Sequence, residues 1–171
     1  PFTKEELQTA VDLWVDDNAT ALETYGEINT WNVSFITDMS SLFYDKASFN
    51  SSINNWDVSN VTNMRQMFEE AASFNGDIST WDVSNVTEMG VMFRNAVNFD
   101  QDLTNWNVSS VTSMDGMFSG AVNFYGDISS WNVSSVTDMD NMFNYTFLSD
   151  ENKCAIHTSF STNSNWNTNW E

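Results

Sequence analysis

Five tryptophans, Trp31, Trp56, Trp81, Trp106 and Trp131, recur every 25 residues along this chain. Around each of them the sequence repeats W-[ND]-V-S-x-[VI]-T-x-M-x-x-[ML]-F, then a small residue, a further Phe and D-[IL]. All 9 methionines fall into two columns of the repeat, one running from Met39 to Met139 and one from Met67 to Met142, with Leu42 filling the gap. Phe43, Phe68, Phe93, Phe118 and Phe143 form a third column, and Phe49, Phe74, Phe99 and Phe124 a fourth. One unit of this length cannot bury its own apolar face. Stacked copies can, so the period predicts a chain of stacked units.

Within a unit the apolar period changes. Trp56-Asp57-Val58 alternates as a short, half-buried strand does, whereas Met64, Met67, Phe68 and Ala71 stand at i, i+3, i+4 and i+7, one helical face. Thr62 or Asn63 is placed to cap that helix, and Ser73-Phe74-Asn75-Gly76-Asp77 to turn the chain back. The expectation is one short parallel strand and one short helix per repeat. Ahead of the repeats, Thr3-Lys4-Glu5-Glu6 reads as a capping box, and Leu7, Ala10, Val11 and Trp14 share one helical face, predicting a capping helix over residues 3–16. After Phe147 the pattern dissolves, and the Asn-, Ser- and Thr-rich tail from Ser161 either closes the stack or frays. Pro1 and the lack of a leader-like apolar run read as a mature or excised fragment. The predicted organisation is a cap at 1–25, a solenoid of about five units at 26–148, and a C-terminal cap or tail at 149–171.

The I-x-x-W-x-V-x-x-V-x-x-M-x-x-M-F-x-x-A-x-x-F spacing resembles a leucine-rich repeat with Trp, Val and Met in the leucine positions. More specifically, W-D-V-S-N-V-T-N-M-x-x-M-F is similar to the repeat of BspA-like leucine-rich-repeat surface proteins, over roughly residues 26–148. The resemblance implies an α/β fold, a right-handed leucine-rich-repeat-like solenoid with parallel strands. It also implies display outside the cell, in adhesion or recognition. It supplies no catalytic residues, and family members differ in ligand.

Charge excludes several partners. Asp and Glu number 24 against 5 Lys and Arg, a formal net charge of -19. Nothing here neutralises a row of phosphates, so nucleic acid is not expected as a partner. Anionic membranes repel the chain, and no apolar run approaches the length of a span, so no membrane insertion is expected. Disorder is not expected either, because 13 Phe, 8 Trp and 9 Met supply a large core. Cys154 and His157, the one Cys and one His, lack an oriented third group or oxyanion motif, and no enzyme, cofactor or metal site is predicted. Glu27, Asp77, Asp102 and Asp127 share a column that could gather calcium, but no calcium-loop motif accompanies them.

Each Trp shares a strand face with Ile or Val, so the tryptophans read as a core ladder; a sugar-stacking platform is the alternative. Phe35, Tyr44, Tyr125, Trp166 and Trp170 lie off the core columns and are expected to offer exposed contacts. The polar columns are more informative. Thr30, Asn55, Thr80, Asn105 and Ser130 precede the tryptophans, and Asn32, Asp57, Asp82, Asn107 and Asn132 follow them. Ser34, Ser59, Ser84, Ser109 and Ser134 come one step beyond the valines. On parallel strands these would recur about every 4.8 Å. They form either a solvated face with hydrogen-bond ladders or a recognition surface for a protein or glycan. Among the N-x-[ST] sequons, Asn18 and Asn144 lie outside the repeat-generated columns and are the glycosylation candidates. The functional expectation is a non-enzymatic extracellular or cell-surface recognition or adhesion module using the polar strand face. The alternatives are a self-assembling structural subunit of a surface layer, filament or larger complex, and an ice-binding protein. For the last, the uniform Thr37, Thr62, Thr87, Thr112 and Thr137 column is the attraction, although helix capping would consume its hydroxyls.

Overall fold

The computed structural model describes residues 2–167. Helix α1, Lys4–Asp16, starts at Thr3, whose hydroxyl accepts from Glu6 N–H while the Glu6 carboxylate accepts from Thr3 N–H. The capping box read from the sequence is therefore formed, and Leu7, Ala10, Val11 and Trp14 are the buried face. Helix α2, Asn18–Tyr25, follows with Asp17 as its N-cap, and a short 3-10 turn spans Ile28–Thr30. Helix α3, Asp150–Phe160, starts at the Ser149 cap and buries Ile156 and Phe160.

Between α2 and α3 the repeats stack, but not as the strand-and-helix solenoid of an α/β leucine-rich-repeat protein. Among the described residues the parallel contacts are isolated bridges, Asp38 to Asn63, Asn63 to Glu88, Glu88 to Ser113 and Ser113 to Asp138. The expected strand at Trp56-Asp57-Val58 does not form. Turns bracket this three-residue segment, closed by Trp56 N–H on Ile53 C=O at 3.1 Å and Val61 N–H on Val58 C=O at 2.9 Å. The segment is too short, between those turns, to build a ladder.

The expected helix at Met64–Ala71 is also absent, and its place is taken by consecutive turns. Met67, Glu69 and Ala71 donate three residues back, to Met64, Gln66 and Phe68. The N–H groups between them cross to the next repeat: Met64 to Glu88, Gln66 to Gly90, Phe68 to Met92 and Glu70 to Arg94, at 2.8–3.1 Å. A helix would direct every one of these donors four residues back. Gln66 and Glu70 instead take positive φ, as do Ser41, Asp45, Val91, Asn95, Gly116 and Gly120 in equivalent places, which re-aims alternate donors along the stack. Residues at i, i+3, i+4 and i+7 still face inward, since two four-residue turns place them as a helix does. That is why the apolar spacing did not separate the two.

The core runs the length of the stack. Phe68 lies 5.2 Å from Phe43 and 5.7 Å from Phe93, nearly parallel to both, and pairs with Phe74 at 4.0 Å. Trp106 and Trp131 stack at 6.4 Å. At the first repeat α1 closes the stack: Lys4 Nζ reaches Asp38 Oδ2 and Ser40 Oγ, both at 2.7 Å, and Gln8 Nε2 donates to Leu42 C=O at 3.1 Å. At the last repeat, Trp166 packs edge-on against Phe160 and Phe143.

Candidate recognition face

The five repeat tryptophans are buried, and the indole N–H of each donates to a backbone carbonyl. Trp56 reaches Ile28, Trp81 Ile53, Trp106 Ile78 and Trp131 Leu103, at 2.8–3.3 Å, while Trp31 reaches Gly26 at 3.1 Å. The column is core, with its polar atom satisfied. It offers no platform for a sugar.

The polar columns are at the surface, and their first task is local. Asp57 Oδ1 accepts from both the N–H and the hydroxyl of Ser59, and Asp82 does the same for Ser84. Asn32 with Ser34 and Asn107 with Ser109 repeat the pair, and Asn132 accepts from Ser134 N–H. Asp77, Asp102 and Asp127 close equivalent turns onto Ser79, Thr104 and Ser129. These are turns in which a side-chain oxygen accepts from the backbone two residues on. Asn60 and Asn85 then tie neighbouring repeats together, donating to Ser34 and Ser59 carbonyls at 2.9 and 2.8 Å. Asn55, Thr80 and Asn105 are exposed and carry none of this work with their side chains. The result is a face whose backbone is fixed from within and whose outermost side chains are free.

The threonine column is explained differently from the sequence expectation. Thr62, Thr87, Thr112 and Thr137 cap no helix. Each hydroxyl donates to the carbonyl of the preceding threonine at 3.0–3.1 Å, a ladder along the stack.

Hydrogen bonds from the Ser59 and Ser84 hydroxyls, and then from their N–H groups, hold Asp57 and Asp82 below the usual aspartate range. A carboxylate with a lowered folded pKa stabilises the fold above its unfolded pKa, and that contribution is lost as pH falls through the folded value. Stability should therefore begin to fall below about pH 4, the unperturbed aspartate value. Replacing both residues with Asn, which already serves at 32, 107 and 132, should leave the urea midpoint at pH 7 within error. It should also make the loss between pH 4 and pH 2 shallower. An unchanged acid limb would show that these turns do not report on folding.

A second cluster was not legible as a site. Glu69 is 1% exposed, pairs with Arg94 and accepts from Gln66 Nε2 at 2.7 Å. Beside it, Arg65 reaches across an entire repeat to Asp115, with nitrogen–oxygen distances of 2.8 and 3.3 Å. Gly90 lies between them, and a Cβ there would stand 2.1 Å from the Arg65 Nη1. Burial works against the Asp115 charge, but hydrogen bonds from Arg65 and Ser113 outweigh it and keep the carboxyl below its usual range.

Of the expected exposed aromatics, Phe35, Tyr44 and Tyr125 are exposed, Trp166 is half-buried, and Trp170 lies outside the described residues. Tyr145 and Phe147, at 73% and 68% exposure, were missed. The signal was present: their columns hold Asp45, Glu70, Asn95 and Gly120, and Ala47, Ala72, Val97 and Val122, elsewhere in the chain. Asn18 is exposed on α2, whereas Asn144 is half-buried and donates to Asn141 at 2.9 Å. His157 Nδ1 accepts from the Trp166 indole at 3.1 Å, and Cys154 is an exposed free thiol. Among the described residues, no three His, Cys, Asp or Glu side chains stand where they could hold a metal ion, and no helix is long and apolar enough to cross a membrane.

A stack of turn-built repeats closed by helices is a scaffold for surfaces. The chain belongs to the family described as Mycoplasma protein of unknown function, DUF285, which matches residues 14–109 and again 77–169. A comparison with the curated proteins gave no match. Among solved structures, the chain is similar to a leucine rich cell surface protein from Faecalibacterium prausnitzii A2-165, with 25% identity over 66% of this chain and a TM-score of 0.48. The alignment covers 29% of that protein, so this chain spans less than a third of its length.

Proposed function

We propose that the chain is a non-enzymatic recognition module of an extracellular or cell-surface protein, binding a protein or glycan through its polar face. The repeats within 26–148 carry that face, and the flanking segments 2–25 and 149–167 close its ends. The observation that carries this reading is the division of labour within the columns. Asn32, Asp57, Asp82, Asn107 and Asn132 fix the turns through Ser34, Ser59, Ser84, Ser109 and Ser134, so Asn55, Thr80 and Asn105 present free amide and hydroxyl groups from a rigid frame. A preorganised polar surface loses little conformational entropy on binding.

The test uses a glycan array and a panel of purified extracellular-matrix proteins as probes. The wild-type chain should bind at least one probe saturably. The triple variant Asn55→Arg, Thr80→Arg, Asn105→Arg should lose that binding with its melting temperature nearly unchanged, because exposed substitutions rarely change stability by more than about 0.5 kcal/mol. Serine is the wrong place for such a change, since its hydroxyl closes the turn. No binding to any probe, or equal binding by the variant, would contradict the proposal.

A further inference from the structure

A cleft of about 350 Å³ opens between the repeats of Trp106 and Trp131, with Asp100, Asp102, Thr104, Tyr125, Gly126 and Asp127 in its lining. Thr104 joins it to Asn105, one of the free side chains of the polar face. Tyr125 is the unusual member of its column. Asn50, Asn75 and Asp100 stand at the equivalent places, and each side chain accepts from the backbone N–H of the next member, at 2.8, 2.9 and 3.1 Å. Tyr125 enters this ladder through its backbone N–H, and its C=O accepts from Asn152 on α3 at 2.6 Å. Its ring carries no part of the ladder and is 50% exposed.

The polar groups beside the ring are held in place. Asp102 accepts from Thr104 N–H and Asp127 from Ser129 N–H, both at 2.9 Å, and the Thr104 hydroxyl donates to Asp127 C=O at 3.3 Å. Asp100 and Asp127 each spend one carboxylate oxygen on a backbone N–H. Among the described residues, the second oxygen of each makes no hydrogen bond. An exposed aromatic face beside fixed acceptors suits a ligand with two unlike sides. A pyranose has them: its weakly positive C–H groups lie against the negative face of a ring, and its hydroxyls donate at the rim. A cation would satisfy the carboxylates too, but would make no use of the neutral amide and hydroxyl groups of Asn105, Thr80 and Asn55 next to the cleft. A glycan chain uses both. Phe99 and Phe124, next in sequence to Asp100 and Tyr125, stand 6.2 Å apart, so one repeat advances by roughly the length of one pyranose unit.

We propose that this cleft is a saccharide subsite. Tyr125 stacks on a neutral pyranose whose hydroxyls donate to Asp100 and Asp127, and the glycan continues over Asn105 toward Thr80. The assignment rests on the polar-face reading and names a glycan as the ligand of that face.

The test titrates the isotope-labelled whole chain with cellotetraose, mannotetraose and N-acetylchitotetraose, followed by NMR. At least one should shift the Tyr125 and Gly126 amide signals saturably, with an affinity that barely changes between low and high salt, since the ligand is uncharged. Tyr125→Ala should weaken that binding by at least about tenfold, and Tyr125→Phe should keep most of it, because the ring face makes the contact. Both variants should melt as wild type does, the ring being half exposed. Tyr125-dependent binding that survives the triple variant of Asn55, Thr80 and Asn105 would uphold the cleft and contradict the polar-face reading. Three results would overturn the proposal: no shift with any of the saccharides at their solubility limits, saccharide binding unchanged in Tyr125→Ala, or a salt-sensitive shift of the same signals by N-acetylarginine amide in place of the saccharides. The first, together with matrix-protein binding that the triple variant loses, would leave the polar face standing without this subsite. The last would make the cleft a site for a basic side chain of a protein partner.

Discussion

Replacing Trp81 with alanine is expected to lower the stability of the fold by about 3–5 kcal/mol, the usual cost of deleting a buried large aromatic. The side chain is buried beneath the middle repeat, lies 6.3 Å from Phe68, and donates its indole N–H to Ile53 C=O at 3.3 Å. The variant loses packing and leaves that buried carbonyl short of a donor. A domain of ordinary stability has only about 5–15 kcal/mol to lose, so a thermal melt should move by roughly 10 °C or more. Trp81→Phe separates the two contributions. It keeps much of the apolar area without the N–H, and should fall between wild type and Trp81→Ala. A wild-type melt for Trp81→Ala would mean that the tryptophan column is not core.

The second large effect is expected at Arg94. Arg94→Met leaves Glu69, at the buried end of the pair, with Gln66 as its remaining partner. Removing one member of a buried ion pair costs about 3–5 kcal/mol, and the part-exposed guanidinium places this one toward the lower end. The double variant Glu69→Met, Arg94→Met should recover most of the loss, since apolar side chains can replace a buried pair at little net cost. Urea denaturation of the two variants checks this. If the double variant is as unstable as Arg94→Met, the pair is not what the site requires.

The repeat, the core columns and the first helix were legible because each leaves a periodic trace: apolar residues at fixed spacing, or Thr3 and Glu6 three apart. The path of the backbone between them was not. At Met64–Ala71 the inward set suits a helix and a chain of turns equally, and the deciding feature is positive φ at Gln66 and Glu70, residues with no marked preference for that region. Glycine holds two of the equivalent places, Gly116 and Gly120, and was the available clue. The Trp56-Asp57-Val58 alternation misled for a related reason. An extended triplet alternates whether or not it pairs, and pairing here is prevented by the turns that Asp57 and its equivalents close. The polar columns lie at or near the surface, Ser34, Ser59, Ser84 and Ser109 half-buried, and their division into turn-closing and free side chains depends on hydrogen bonds that spacing does not encode. Arg65 and Asp115, two repeats apart, meet only because Gly90 leaves room between them.

Alternate backbone donors running from each repeat to the next hold the polar face in register. Hydrogen-bond scalar couplings between amide nitrogen and carbonyl carbon, measured by NMR on isotope-labelled protein, test this directly. Couplings are expected from Met89 to Ser113, Val91 to Asp115 and Phe93 to Met117, whose N···O distances are 3.0, 2.7 and 2.9 Å. Couplings from residues 93–96 to carbonyls four residues earlier in the same repeat would instead establish a helix there and contradict the turn-built stack.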